Sequence, residues 1–80
     1  QLEATFAAID RVLAAGGNDR NRIIKVTIYL TDMANFPAIV EARRRYFTPP
    51  WPADTVVEVR ALALPELLLE IEVIAVCGED

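Results

Sequence analysis

The sequence contains no histidine and a single cysteine, Cys77. One cysteine excludes an internal disulfide. Without histidine, neither a Cys/His zinc site nor a Ser-His-Asp triad can be assembled within the chain, and no metal or cofactor is expected. No apolar run reaches the ~18 residues that a membrane-spanning helix needs, and no signal-peptide pattern opens the chain. A basic excess is missing too. Twelve acidic residues against eight basic ones give a formal net charge of −4, the wrong sign for a general nucleic-acid binder. The local clusters Arg20, Arg22, Lys25 and Arg43, Arg44, Arg45 read as solvated helix faces or partners for the acids, not as a phosphate groove. The default expectation is a cytoplasmic protein with neither a membrane nor a nucleic acid as partner. The first residue is not methionine, which leaves a removed leader open.

What is abundant is apolar surface. Hydrophobic residues make up 54 % of the 80, above the roughly 45–50 % usual in soluble domains. A chain this short buries only about 60 % of its unfolded surface. The excess therefore either lines a subunit interface or packs against a further segment, and both options point away from a free monomer.

Leu2, Phe6, Ile9 and Leu13 recur at helical spacing, with Ala7 and Ala14 filling in, and predict an amphipathic helix ended by Gly16-Gly17-Asn18. Ile23 to Leu30 is rich in β-branched residues and reads as a half-buried strand. Ile24, Val26, Ile28 and Leu30 are expected on one face, with Lys25, Thr27 and Tyr29 on the other. After Thr31-Asp32-Met33-Ala34, Asn35 can cap a second helix, and Pro37 is tolerated in its first turn. Phe36, Ile39, Val40, Arg43 and Phe47 are expected to trace its inner face, Arg43 by its aliphatic stem. Thr48-Pro49-Pro50 stops that helix, and Pro50-Trp51-Pro52 forms an extended connector.

Thr55 to Leu62 reads as a second strand. A turn at Leu64-Pro65-Glu66 leads to a third, Leu67 to Val76. The predicted order is α-β-α-β-β, an α+β fold with two helices on one face of a mixed sheet. Three strands backed this way leave the other sheet face and an edge uncovered. Val56, Ile74 and Val76 are expected on that face together with Glu58, Glu70 and Glu72, a mixed apolar and acidic surface suited to a subunit interface.

Three stretches, in this order and with these gaps, resemble the RidA (YjgF) family: Val26 to Phe36, Pro52-Ala53 with Thr55 to Val59, and Leu62 to Pro65 with Glu70 to Ala75. The resemblance spans essentially the whole chain. It implies a RidA-like fold, a homotrimer, and small-molecule clefts between neighbouring subunits. The family fold begins with further strands that have no counterpart here, so the single domain at 1–80 is expected to be N-terminally incomplete.

In the family, an arginine after Pro-Ala binds the substrate carboxylate as a bidentate fork, and an acid after the Leu-Pro turn holds the attacking water. The resemblance places Glu70 at the water-positioning site and assigns substrate binding to the positions of Asp54, Val56, Val40 and Pro65. Asp54 stands where the family has its arginine, Val40 where many members carry asparagine, and Val56 where a cysteine is frequent. Two unit charges ~4 Å apart interact by about 4 kcal/mol at an effective dielectric of ~20, so the change at residue 54 is expected to turn attraction for a carboxylate into repulsion. Arg60, on the same strand face, lies about 20 Å away and can reach the site only from a neighbouring subunit.

Other readings stand beside these. Asp54 can cap a turn through its own side chain. Glu58, Glu70 and Glu72 can pair with Arg43, Arg44 or Arg60 across an interface. Trp51 is read as a packing anchor and Cys77 as an inert thiol. Two functions follow. One is a divergent hydrolase deaminating a reactive enamine or imine other than the usual 2-imino acid. The other is a non-catalytic trimeric module binding a ligand or a partner. Some family members also carry a ribonuclease label, which the acidic balance and the lack of histidine do not support.

Overall fold

The computed structural model describes residues 1–77. Helix α1 spans Leu2–Ala15. Its apolar stripe lies as the spacing predicts, with Phe6 buried and Leu2, Ile9 and Leu13 packed beside it on the core. The helix closes in a Schellman-type arrangement. Asn18 N–H donates to Leu13 O at 2.7 Å and Gly17 N–H to Ala14 O at 3.0 Å, which requires the positive φ of 73° at Gly17. Glycine adopts that conformation without a Cβ clash.

A short 3₁₀ turn at Arg20–Arg22 is capped by the Asp19 carboxylate and leads into β1, Ile23–Leu30. A second 3₁₀ turn, Met33–Asn35, is capped by Asp32. Helix α2 follows at Phe36–Tyr46, with Pro37 in its first turn. Asn35 occupies the cap position but makes no side-chain capping hydrogen bond; Asp32 supplies the cap one turn earlier. Strands β2, Ala53–Glu58, and β3, Leu69–Ala75, complete the chain. Both are shorter than the apolar pattern suggests, because only the residues facing β1 have a ladder to join. No helix among the described residues is long and apolar enough to cross a membrane.

The sheet order is β2-β1-β3. β1 pairs in parallel with β2 and antiparallel with β3. Its inner residues Val26, Ile28 and Leu30 are 0 % exposed and meet Phe6 of α1, Ile39, Ala42 and Tyr46 of α2, and Phe47. The expected α+β architecture, two helices on one face of a mixed sheet, is the one observed.

Three expectations of facing are corrected. A register shift between Ile23 and Lys25 turns Ile23 into the core and leaves Ile24 51 % exposed, because an extra residue reverses the alternation. On α2 the buried residues are Ile39, Ala42 and Tyr46. Phe36 is exposed and Arg43 leans toward β2. On β2, Asp54, Val56 and Glu58 are the register partners of Val26, Ile28 and Leu30, so they point to the helix side of the sheet. Glu70, Glu72 and Ile74 are matched with Tyr29, Thr27 and Lys25 and point outward. Val56 and Glu58 therefore do not share a face with them.

One polar cluster ties three segments at the rim of the core. Tyr46 stacks on Phe6 with ring centroids 4.2 Å apart and lies under the Arg20 guanidinium at 4.0 Å. The Tyr46 hydroxyl donates to Asp10 Oδ1 at 2.5 Å, and Arg20 reaches Asp10 Oδ2 at 2.6 Å and Tyr46 O at 2.9 Å. Burial, the hydrogen bond to Asp10 and that carboxylate's charge push the Tyr46 phenol well above its ordinary value, with Arg20 pulling the other way.

Truncating Ile28 to alanine empties the middle of the core layer and is expected to cost about 2–5 kcal/mol in denaturant unfolding. The Tyr46 proton is held more tightly in the folded chain than in the unfolded one. Its contribution to stability is thus present below the ordinary tyrosine value near ~10 and is lost as pH climbs above it. Tyr46→Phe should lower stability at neutral pH by about 1 kcal/mol and flatten the decline above pH ~10, as read by unfolding titrations across alkaline pH.

Candidate functional site

Val40, Arg43 and Arg44 sit at i, i+3 and i+4 of α2 and so share one flank of the helix. The chain then passes through the proline-rich connector and returns as β2, whose first residues Ala53 and Asp54 align with Lys25 and Val26. Helix flank and strand start border an open surface pocket of about 560 Å³ lined by Val40, Arg43, Arg44, Trp51, Pro52, Ala53 and Asp54.

The central contact is ionic. Asp54 Oδ2 lies 2.5 Å from Arg43 Nε, with both side chains partly buried. Nε is fully enclosed, and Asp54 lies outside the direction of its N–H. The attraction is thus between charges and not along a directed hydrogen bond. The Trp51 ring sits 5.9 Å from the same guanidinium, at the outer limit of a cation–π contact. Of the two readings for Asp54, the turn cap finds no support, since its partner is a helix arginine. Its negative charge does not stand alone either. Two guanidiniums and one carboxylate line this cavity, so its formal charge is positive.

The sequence-predicted residues divide sharply. Val40 and Asp54 meet in the cavity. Val56 packs against the core and lines none of this cavity. Pro65 is exposed in the loop beyond β2, at the end of the sheet where Leu30 pairs with Leu69. Asp54 lies by Val26, about 13 Å away along the strands. Glu70 is exposed on the outer face, two strand spacings or about 10 Å across from β2. Within one chain, Glu70 and Asp54 are on opposite faces of the sheet.

Other expected partners also differ. Glu58 accepts the Met33 N–H at 3.0 Å and so holds the turn before α2 instead of pairing with an arginine. Arg60 lies beyond the end of β2, where strand alternation no longer sets its direction. On the outer face, Lys25 donates to Thr27 Oγ1 at 3.2 Å and to Thr55 Oγ1 at 3.0 Å, beside the exposed Glu72. Trp51 is 48 % exposed, a wall of the cavity more than a core anchor. Cys77 is free and exposed.

Arg43 and Arg44 are the residues that sequence reasoning placed elsewhere, as a core-facing stem and a solvated face. The signal was present in their helical spacing from Val40. What spacing alone lacked was the parallel pairing that brings residue 54 beneath them.

A sequence model of the family described as Endoribonuclease L-PSP matches residues 1–77. The chain is similar to protein DfrA of Myxococcus xanthus, 40 % identical over 76 residues, covering 95 % of this chain and 57 % of that protein. It is also similar to Reactive Intermediate Deaminase A, chloroplastic, of Arabidopsis thaliana, 37 % identical over 75 residues, covering 94 % of this chain and 40 % of that protein. The crystal structure of a YjgF protein family member from Neisseria meningitidis superposes with a TM-score of 0.87 at 33 % identity, covering 94 % of this chain and 63 % of that one. The chain spans about half the length of the curated relatives it matches. Sequence and fold agree along nearly all of it, and this chain belongs to the RidA (YjgF) family.

Proposed function

We propose that this chain forms part of a hydrolase that deaminates a reactive enamine or imine in a cleft completed by a second copy of the chain. The observation that carries the reading is the cavity at residue 54. Asp54, which the resemblance sets at the family's substrate-binding arginine, lines with Val40 an open pocket large enough for a small organic molecule, and this supports the reading. A relative bearing the name Reactive Intermediate Deaminase A supports the reaction class.

The chemistry asks for few groups. Water adds to the C=N carbon, its proton passes to the nitrogen, the C–N bond of the resulting carbinolamine breaks, and ammonia leaves as the carbonyl forms. A single carboxylate can accept the proton from water and return it to the amine. Glu70 is the candidate. It faces away from the cavity of its own chain, so a neighbouring copy must deliver it.

The outer sheet face favours such an assembly. Ile24, Val57, Ile74 and Val76 are all exposed there or at its margin, Ile74 by 55 %, and they surround Glu70 and Glu72. Apolar area of this kind on an otherwise well-packed chain marks an interface, and a homotrimer is the arrangement we propose. The departures at Asp54, Val40 and Val56 favour the second reading, a trimer that binds a ligand without turning it over.

The test uses the full-length protein that carries this chain. Ammonia release is measured from 2-imino acids generated in place by an amino-acid oxidase, and from imines and enamines that lack a carboxylate. At least one should react faster than in buffer, and Glu70→Gln should slow that reaction by ~10²-fold with the trimer intact. Release at the spontaneous rate across the whole panel overturns catalysis and leaves the binding reading. Separately, Ile74→Glu should shift the light-scattering mass from trimer to monomer. An unchanged mass would remove the outer face from the interface.

A further inference from the structure

Helix α1 opens with a side chain that serves another part of the chain. Gln1 occupies the N-cap position yet makes no side-chain bond to the helix's own first amides, the bond a cap residue ordinarily supplies. Its amide reaches instead to the loop between β2 and β3. Nε2 donates to Glu66 O at 2.9 Å, and Oε1 accepts the Leu68 N–H at 3.0 Å. We infer that Gln1 is a positioning residue for the proposed reaction: it fixes the start of β3 and so the place at which Glu70 is presented. The inference rests on the proposed function and adds to it a residue that need not touch the substrate.

Three observations carry it. The first is pairing. β3 begins at Leu69, opposite Leu30 of β1. One step further out, Leu68 O accepts the Thr31 N–H at 3.1 Å and the Thr31 hydroxyl at 3.3 Å. A regular antiparallel pair would return the Leu68 N–H to residue 31, but here Gln1 takes it. A glutamine amide offers both a donor and an acceptor, so it can hold a C=O and an N–H of the same segment as a strand's backbone would.

The second is support. The Gln1 carbonyl accepts the Thr5 N–H at 2.9 Å and the Thr5 hydroxyl at 2.7 Å, which seats residue 1 on the first turn of α1. Leu2 and Phe6 of that helix pack on the core. The clamp therefore ties a loop to a helix already fixed against β1, across 65 and 67 residues of chain.

The third is location. Strand ends open more readily than strand centres. Glu70 is the second residue of β3, two positions beyond the clamped Leu68, so without that anchor Leu69 and then Glu70 would be the next to fray. A positioned catalytic group loses rate steeply when its placement drifts. In the proposed assembly Glu70 must also reach a cleft in a neighbouring copy, which leaves little room for such drift.

The other clusters lead elsewhere. The Asp10–Arg20–Tyr46 group has its donors and acceptors matched to one another, and Glu58 is committed to the Met33 amide.

The experiment uses the full-length protein. Amide exchange is read by NMR, and ammonia release is measured with the imine or enamine that the wild type turns over. The wild-type Leu68 amide should exchange at least ~10-fold more slowly than a free peptide amide. Gln1→Met, similar in length but with neither a donor nor a strong acceptor, should speed that exchange ~10-fold and leave the mid-strand amides of β1 unchanged. Its kcat should fall ~10-fold while KM stays within ~2-fold. On a Glu70→Gln background the same substitution should cost nothing further, since it acts through Glu70. Gln1→Glu keeps the acceptor and loses the donor, and should fall between wild type and Gln1→Met in both readouts.

A wild-type Leu68 amide that exchanges at the free-peptide rate overturns the inference whether or not any variant folds. So does an unchanged kcat in a folded Gln1→Met. A further ~10-fold loss on the Glu70→Gln background overturns it too, because the effect would then be a general loss of structure. Ammonia release at the spontaneous rate in the wild type removes the reaction that Gln1 would serve, and both proposals fall. An active wild type with an indifferent Gln1→Met sinks this one alone.

Discussion

β1 is the strand on which the rest of the described chain depends. Both of its edges are paired, in parallel with β2 and antiparallel with β3, and its inner side chains are sealed from solvent. A parallel partner cannot be reached by a tight turn, so the chain must travel back along the whole length of β1 before β2 can pair. Helix α2 is that return path, and it covers the inner face of the strand as it goes. Its last turns necessarily come to rest over the beginning of β2. Arg43 stands over Asp54 for this topological reason, and the cavity exists because a helix end and a strand start converge there.

The two faces of the sheet solve different problems. The inner face is a dry layer in which Val26, Ile28 and Leu30 meet aromatic and aliphatic side chains from both helices. At its rim, Tyr46 gives an aromatic face to Phe6 and Arg20 and a hydroxyl to Asp10, so helix and connector are joined where water would otherwise enter. The Arg20–Asp10 pair is half exposed. Alone it would contribute little, and its value comes from sharing Asp10 with the tyrosine. The outer face mixes threonine, lysine and glutamate with uncovered isoleucine and valine. That mixture holds part of the chain's exposed apolar area, with Val12, Leu64 and Leu68 adding to it elsewhere.

Most of the architecture was legible in the sequence because local pattern and tertiary demand agree. The α1 stripe, the Gly17 stop, the alternation of β1 beyond Lys25 and the proline at the start of α2 all lie where spacing puts them. The failures occur where pattern is silent about neighbours. Ile24 reads as a core residue until one extra residue in the ladder reverses it. Val56 and Glu58 share their strand's parity, but only the register against β1 says which side that parity faces. Arg43 reads as a stem along the core because its actual counter-charge is eleven residues away across a crossover. Asp10, Arg20 and Tyr46 carry no motif at all, being scattered over three elements. For the candidate site, the sequence singled out residues 40 and 54, and the structure brings both to one pocket. It did not show that Arg43 of the helix sits against Asp54.

The ion pair between Arg43 and Asp54 also makes the two positions depend on one another. Placing arginine at 54 alone would set two guanidiniums against each other in a partly buried space, and removing Arg43 alone would strand a carboxylate there. Positions 43 and 54 therefore respond to substitution as one unit, and a charge change at either asks for a compensating change at the other.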